Sequence, residues 1–117
     1  EAVANQEKAR QDLTLEMRQS ALSTREAYLG VTSGAAQVKA LEQALLSSQS
    51  SLDSTRLGLE VGVRTNVDVL NAQQQLFSAK RDLYRARYAY LVNRLKLKSA
   101  AGTLAEDDLQ QVNQWLK

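Results

Sequence analysis

The sequence predicts an all-α chain: a long antiparallel α-helical hairpin with coiled-coil packing, followed by a short helix. Three observations carry this. Apolar and small residues recur every seven positions along two long stretches. The 117 residues include no Pro and are rich in Ala, Leu, Gln, Arg, Lys and Glu, the composition of long helices. Between the two stretches lies "GLEVGVRTNVDVL", whose glycines read as a chain reversal.

The first helix is expected over residues 1–58. Its register holds from Met17 through Thr24, Val31, Val38, Leu45, Leu52 and Leu59. Val3 fits the same register and Arg10 breaks it. Leu13, Ser20, Ala27, Gly34, Leu41, Ser48 and Thr55 are the companion positions, most of them small. Leu15, Leu22, Leu29 and Ala36 keep the period but lie two residues away, on roughly the opposite side of a helix. A two-stranded coiled coil needs one apolar seam. Seams on two sides imply neighbours on two sides, as in a bundle or ring of helices. The weak stretch is "GVTSG" at 30–34, where two glycines and β-branched residues lower helix propensity and a bend or irregularity is expected.

The turn is expected at 59–66. Gly58 and Gly62 both allow positive φ. Thr65 suits the N-cap of the second helix, with Asp68 as its capping-box partner three residues on. That second helix is expected over 67–100. Its seam is Val69, Leu76, Leu83, Tyr90 and Leu97, beside a small-residue column of Ala72, Ala79, Ala86, Asn93 and Ala100. Small side chains let backbones approach at the short end of the roughly 8–10 Å helix-packing range. Leu70, Phe77, Tyr84 and Leu91 widen the apolar face. "AAGT" ends this helix, and Thr103 with Glu106 suggests a second capping box opening a short amphipathic helix over 104–116. Leu104, Leu109, Val112 and Leu116 form its apolar side, with Trp115 at the edge. The first arm outruns the second by about 35 Å. Its end therefore needs a cover from outside the chain, unless the short helix folds back along it.

Composition excludes several functions. With no His and no Cys there is no disulfide, no thiolate, and no imidazole base or metal ligand. A Ser or Thr nucleophile would need a Lys base, and no Gly-rich elbow or phosphate loop is present. No enzyme activity and no cofactor or metal are expected. No run approaches the roughly 20 apolar residues of a membrane-spanning helix. The net charge of +2 is too small to argue for nucleic acid, although residues 67–100 carry seven bases against two acids. Spread around the helix with interleaved Tyr, those bases read as a solvated face with salt bridges rather than an RNA or lipid site. The chain opens on Glu1 with no signal peptide, as expected for a processed or excised piece of a longer protein.

From Ser47 to Leu116 the chain resembles the TolC-type family of outer-membrane efflux and secretion ducts. The resemblance rests on "SSQSSLDSTRLGLEVGVRTNVDVLNAQ", on "ARYAYL" and on "KSAAGTLAEDDL". Its most specific part is V-G-x-R-T-x-x-D-V-L, which joins a turn to a helix start. Upstream of Ser47 only the helical pattern matches. The resemblance implies a fragment of a homotrimeric α-helical barrel, in the periplasmic portion of a Gram-negative outer-membrane protein. The membrane strands of such a duct are not in this chain, which would not itself insert. The hairpin would form the tunnel entrance, meeting a periplasmic adaptor protein that links it to an inner-membrane pump. The short helix would belong to an equatorial girdle.

By that resemblance Val61, Gly62, Val63, Arg64 and Thr65 are the adaptor-contacting turn. Asp68 takes the first acidic ring of the entrance constriction, and Asn71 stands where well-studied members have a second Asp. Arg64 is the motif arginine that bonds neighbouring helices, and Leu59 replaces a Tyr that helps to hold the closed state. Plainer roles stand beside these: Asp68 as a helix cap, Arg64 as a solvated turn residue, Gly62 as a backbone requirement. Two other functions fit a helical hairpin. One is the coiled-coil hairpin of an adaptor, against which the turn motif argues. The other is a membrane-surface amphipathic protein, which needs one broad apolar face where this chain has two narrow seams.

Overall fold

The computed structural model describes residues 2–115. It contains three helices and, among the described residues, no strand: α1, Ala2–Glu60; α2, Asn66–Ala100; and α3, Glu106–Trp115. The helices start and stop within one or two residues of the sequence reading. α1 runs past Gly58 because that glycine keeps a helical backbone; among the described residues only Gly62 and Gly102 have positive φ. α2 begins at Asn66 because Thr65 caps it. The expectations for Leu116 and for the Trp115 side chain lie outside the described residues.

The predicted irregularity at Gly30–Gly34 is absent, and α1 is helical throughout. Gly30 and Gly34 occupy inward positions. A Cβ on Gly34 would touch Tyr90 Cδ2 at 3.4 Å, and one on Gly30 would touch the Asn93 side chain at 3.5 Å. Packing against α2 thus offsets a propensity loss of about 1 kcal/mol per glycine. Thr32 returns its hydroxyl to the Tyr28 carbonyl at 2.9 Å, so it adds no unmet polar group.

Ser33–Tyr90 forms one compact unit. Its core follows the predicted seams. Leu52, Leu76 and Leu83 are 2–6 % exposed, and Ala86 is buried among the small-residue column. Burying each leucine contributes about 1.5–3 kcal/mol. Val38, Leu41, Leu45, Leu59, Val69, Ala72 and Ala79 are half-buried along the same line. Ser48 and Thr55 share it because their hydroxyls bond to the carbonyls of Ala44 and Ser51, at 2.9 and 2.7 Å, within their own helix. Across the seam's edge Arg87 donates to Glu42 at 2.7 Å. Both side chains are about half exposed, so this pair contributes little.

The remaining described residues, up to 32 and from 91, form the second unit. Here Thr24, Ala27, Val31, Asn93, Leu97 and Ala100 are half-buried. Asn93 Nδ2 points at the Gly30 carbonyl at 3.5 Å. α3 packs on the last turns of α2, where Leu91, Leu95 and Val112 enclose a small apolar gap. It does not shelter the start of α1, whose residues 2–23 are all exposed.

The second seam of α1 is open: Leu15, Leu22 and Leu29 are 52–62 % exposed. On α2, Leu70, Phe77 and Tyr84 are open as well. A chain with this much unpartnered apolar surface should self-associate. Analytical ultracentrifugation of the isolated chain should show oligomers at micromolar concentration, and a stable monomer up to millimolar would contradict the second seam. Ala86→Leu should overpack the closed seam and destabilise the hairpin by about 1–3 kcal/mol in thermal or urea melts.

Candidate functional site: the capped turn between the long helices

Residues 58–68 form a continuous hydrogen-bonded device. α1 ends in a Schellman motif: Gly62 N–H donates to the Leu59 carbonyl at 3.1 Å and Val63 N–H to the Gly58 carbonyl at 2.8 Å. The motif requires a left-handed residue at Gly62, whose φ is +80°. Arg64 N–H shares the Gly58 carbonyl at 3.0 Å, which draws the chain back over the helix end.

α2 then starts with the predicted capping box. Asp68 N–H donates to Thr65 Oγ1 at 3.2 Å, and Thr65 N–H donates to Asp68 Oδ2 at 2.8 Å. The Thr65 hydroxyl also donates to Asp68 Oδ2, at 2.9 Å. Those bonds, the backbone one foremost, hold the Asp68 carboxyl below the usual carboxylate range, and the charge of Arg64 adds to the effect. Asp68 is therefore both a cap and a fixed negative charge. One oxygen is committed inward, and Oδ1 makes no hydrogen bond among the described residues.

The structure brings Thr65 and Asp68 into direct contact and places Val61, Val63 and Arg64 beside them on the exposed turn. Val61 and Val63 are about two-thirds or more exposed, an apolar tip that no described residue covers. Asn71 is exposed one turn further along α2. Leu59 is half-buried as the last member of the α1 seam, so its packing role is met within the hairpin. The Arg64 guanidinium makes no hydrogen bond or ion pair among the described residues. No described group of acidic residues could hold a metal.

Two features escaped the sequence. Gly58 does not serve the turn by positive φ. It is buried under the side chain of Arg64, and a Cβ there would lie 2.6 Å from Arg64 Cγ. The second capping box is also built differently. Thr103 belongs to the end of α2, because Gly102 repeats the Schellman motif and Thr103 N–H donates to the Lys98 carbonyl at 2.9 Å. α3 is capped from Ala105, whose N–H donates to Asp108 Oδ2 at 3.2 Å, and Lys98 Nζ pairs with Asp108 Oδ1. Asp108 thus replaces Glu106 as the partner. Its carboxyl is held below the usual range mainly by Lys98, and then by the Ala105 N–H.

An antiparallel helical hairpin with a doubly capped turn and seams left open on a second side defines a piece of a larger helical assembly. The chain belongs to the outer membrane efflux protein family, whose model matches residues 1–103. TolC, an outer membrane protein of Escherichia coli K12, is 45% identical over 91 residues, which is 78% of this chain and 18% of that protein. TolC of Vibrio cholerae is 39% identical over 93% of this chain and 25% of its own length. The alkaline protease secretion protein AprF of Pseudomonas aeruginosa is 37% identical over 96% of this chain and 23% of its own. The chain spans about a fifth to a quarter of the length of these relatives. Among the described residues no helix is long and apolar enough to cross a membrane.

Thr65→Ala should destabilise the start of α2 by about 1 kcal/mol, the usual loss of an N-cap, in thermal melts of the chain. The folded-state pKa of Asp68 is depressed. Its stabilisation is therefore complete above the ordinary carboxylate range, near pH 4, and is lost as pH falls through the lowered value. Melts of Asp68→Asn and the parent chain should differ at neutral pH and converge in strong acid.

Proposed function

We propose that this chain is the entrance hairpin of the periplasmic tunnel in an outer-membrane duct for drug efflux or type I protein secretion. In this reading three copies converge, the turn docks on a periplasmic adaptor, and an inner-membrane pump supplies the energy. The segment is a passive conduit and carries out no reaction. The observation that carries the proposal is the turn itself: family membership together with a rigid, doubly capped tip that presents Val61, Val63 and an unpaired Arg64 outward. The open seams of α1 and α2 supply the surfaces that neighbouring helices of a ring would cover.

Asp68 would contribute three carboxylates around one narrow axis. The Thr65 bonds that lower its pKa favour the ionised form, and like charges converging on one axis attract multivalent cations. Asn71 adds no charge, so the ring is weaker than one built from two acidic positions. Arg64 would tie adjacent hairpins by charge-assisted hydrogen bonds, for which its guanidinium is free. Leu59 has no hydroxyl with which to share that task.

Planar-bilayer recordings of the full-length duct test this directly. Arg64→Ala should raise the conductance, and Asp68→Ala should abolish block by multivalent cations. If Asp68→Ala leaves both block and ion selectivity unchanged, Asp68 is a helix cap and nothing more. A pull-down in which turn variants retain adaptors as the parent does would count against the docking role.

A further inference from the structure

We infer that Gly58 is the seat that positions Arg64, and so acts on the entrance through it; this rests on the gate-holding role proposed above for Arg64. Gly58 lies four residues before the left-handed Gly62, inside the helix, and has no conformational need to be glycine. Alanine is the better helix former at such a site. What excludes alanine is the Arg64 side chain. Its Cγ would stand 2.6 Å from an added Cβ and its own Cβ 3.3 Å, with Val63 Cγ2 at 3.5 Å. The first of these is closer than carbon atoms tolerate, since their optimal separation is roughly 3.5–4.0 Å.

The clash cannot be relieved at the far end of the side chain, because it falls on the first atoms of the stem. Nor can the backbone of Arg64 retreat freely, because its N–H is bonded to the Gly58 carbonyl at 3.0 Å. The remaining escape is rotation about χ1. Staggered wells are about 120° apart, so that rotation swings the whole stem and carries the guanidinium away from its present place. Gly58 therefore leaves room for this one placement of the arginine stem, which a Cβ would forbid, while the guanidinium donors stay unspent. A long cation whose stem lies across Gly58 and whose head is unpaired among the described residues can reach a partner from a position that alanine at 58 would deny it.

The test is a double-mutant cycle on the full-length duct, with Gly58→Ala, Arg64→Ala and the double variant compared in planar bilayers and in thermal melts. Gly58→Ala should shift the conductance in the same direction as Arg64→Ala, and the double variant should go no further than Arg64→Ala alone. Gly58→Ala should also lower the Tm much more when Arg64 is present than in the Arg64→Ala background, where Cγ and the atoms beyond it are gone and, of the Arg64 contacts, only the 3.3 Å Cβ one remains. The inference is overturned if Gly58→Ala conducts like the parent while Arg64→Ala does not, or if the two effects add. If Arg64→Ala itself conducts like the parent, the gate-holding role falls. The melts then decide the seat alone: an equal Tm loss in both backgrounds overturns it, and a clearly larger loss in the Arg64 background upholds it. Should Gly58→Ala fail to assemble, rescue by Arg64→Ala supports the seat and failure in both backgrounds overturns it.

Discussion

Everything at the turn depends on one backbone conformation, the left-handed Gly62. With φ at +80° the chain folds its next two N–H groups back onto the Gly58 carbonyl. That closes α1, leaves only Arg64 between the Schellman bond and the Thr65 cap, and drops the Arg64 stem onto Gly58. A side chain at Gly62 would meet no neighbour within 4 Å, so the restriction there is torsional rather than spatial. The two glycines thus act by different physics. Gly62 supplies a dihedral that L-residues with a Cβ adopt only at a cost, and Gly58 supplies room.

The small-residue seam plays the corresponding part along the arms. Alanine and glycine at the contact positions let leucines from both helices fill the space between, which accounts for burial concentrated at Leu52, Leu76, Leu83 and Ala86. Serine and threonine are tolerated in the same line because each bonds to a carbonyl four residues back. A buried hydroxyl with a local partner avoids most of the desolvation penalty. The outer face has no such arrangement. Leu15, Leu22, Leu29, Phe77 and Tyr84 are large, regularly spaced and uncovered, a pattern without purpose in a solitary hairpin.

Much of this was legible in the sequence because the heptad is a geometric statement. From Thr24 to Ala100 every position read as inward from spacing alone is buried or half-buried, and Leu15, Leu22, Leu29 and Ala36 of the second side are exposed. The first capping box was legible because Thr65 and Asp68 are three apart and interact locally. Where the reading failed, a local signal competed with a tertiary one. "GVTSG" has poor helix propensity, but packing of Gly34 on Tyr90 and Gly30 on Asn93 outweighs it. Thr103 and Glu106 have the spacing of a cap, yet Gly102 draws Thr103 into the previous helix and Lys98 selects Asp108. Gly58 looked like a second turn glycine because nothing in a linear string shows which side chain will lie across it.

Because both arms repeat with the same seven-residue period, the length of the hairpin is separable from its packing. Removing one residue from a single arm rotates everything beyond it by about 100° and carries leucines out of the seam. Removing one full heptad from each arm at facing positions shortens the hairpin by roughly 10 Å and returns every remaining side chain to its former face. A ring assembled from such hairpins can therefore be lengthened or shortened in whole heptads to match the gap it must bridge, with its tip and its cross-section unchanged.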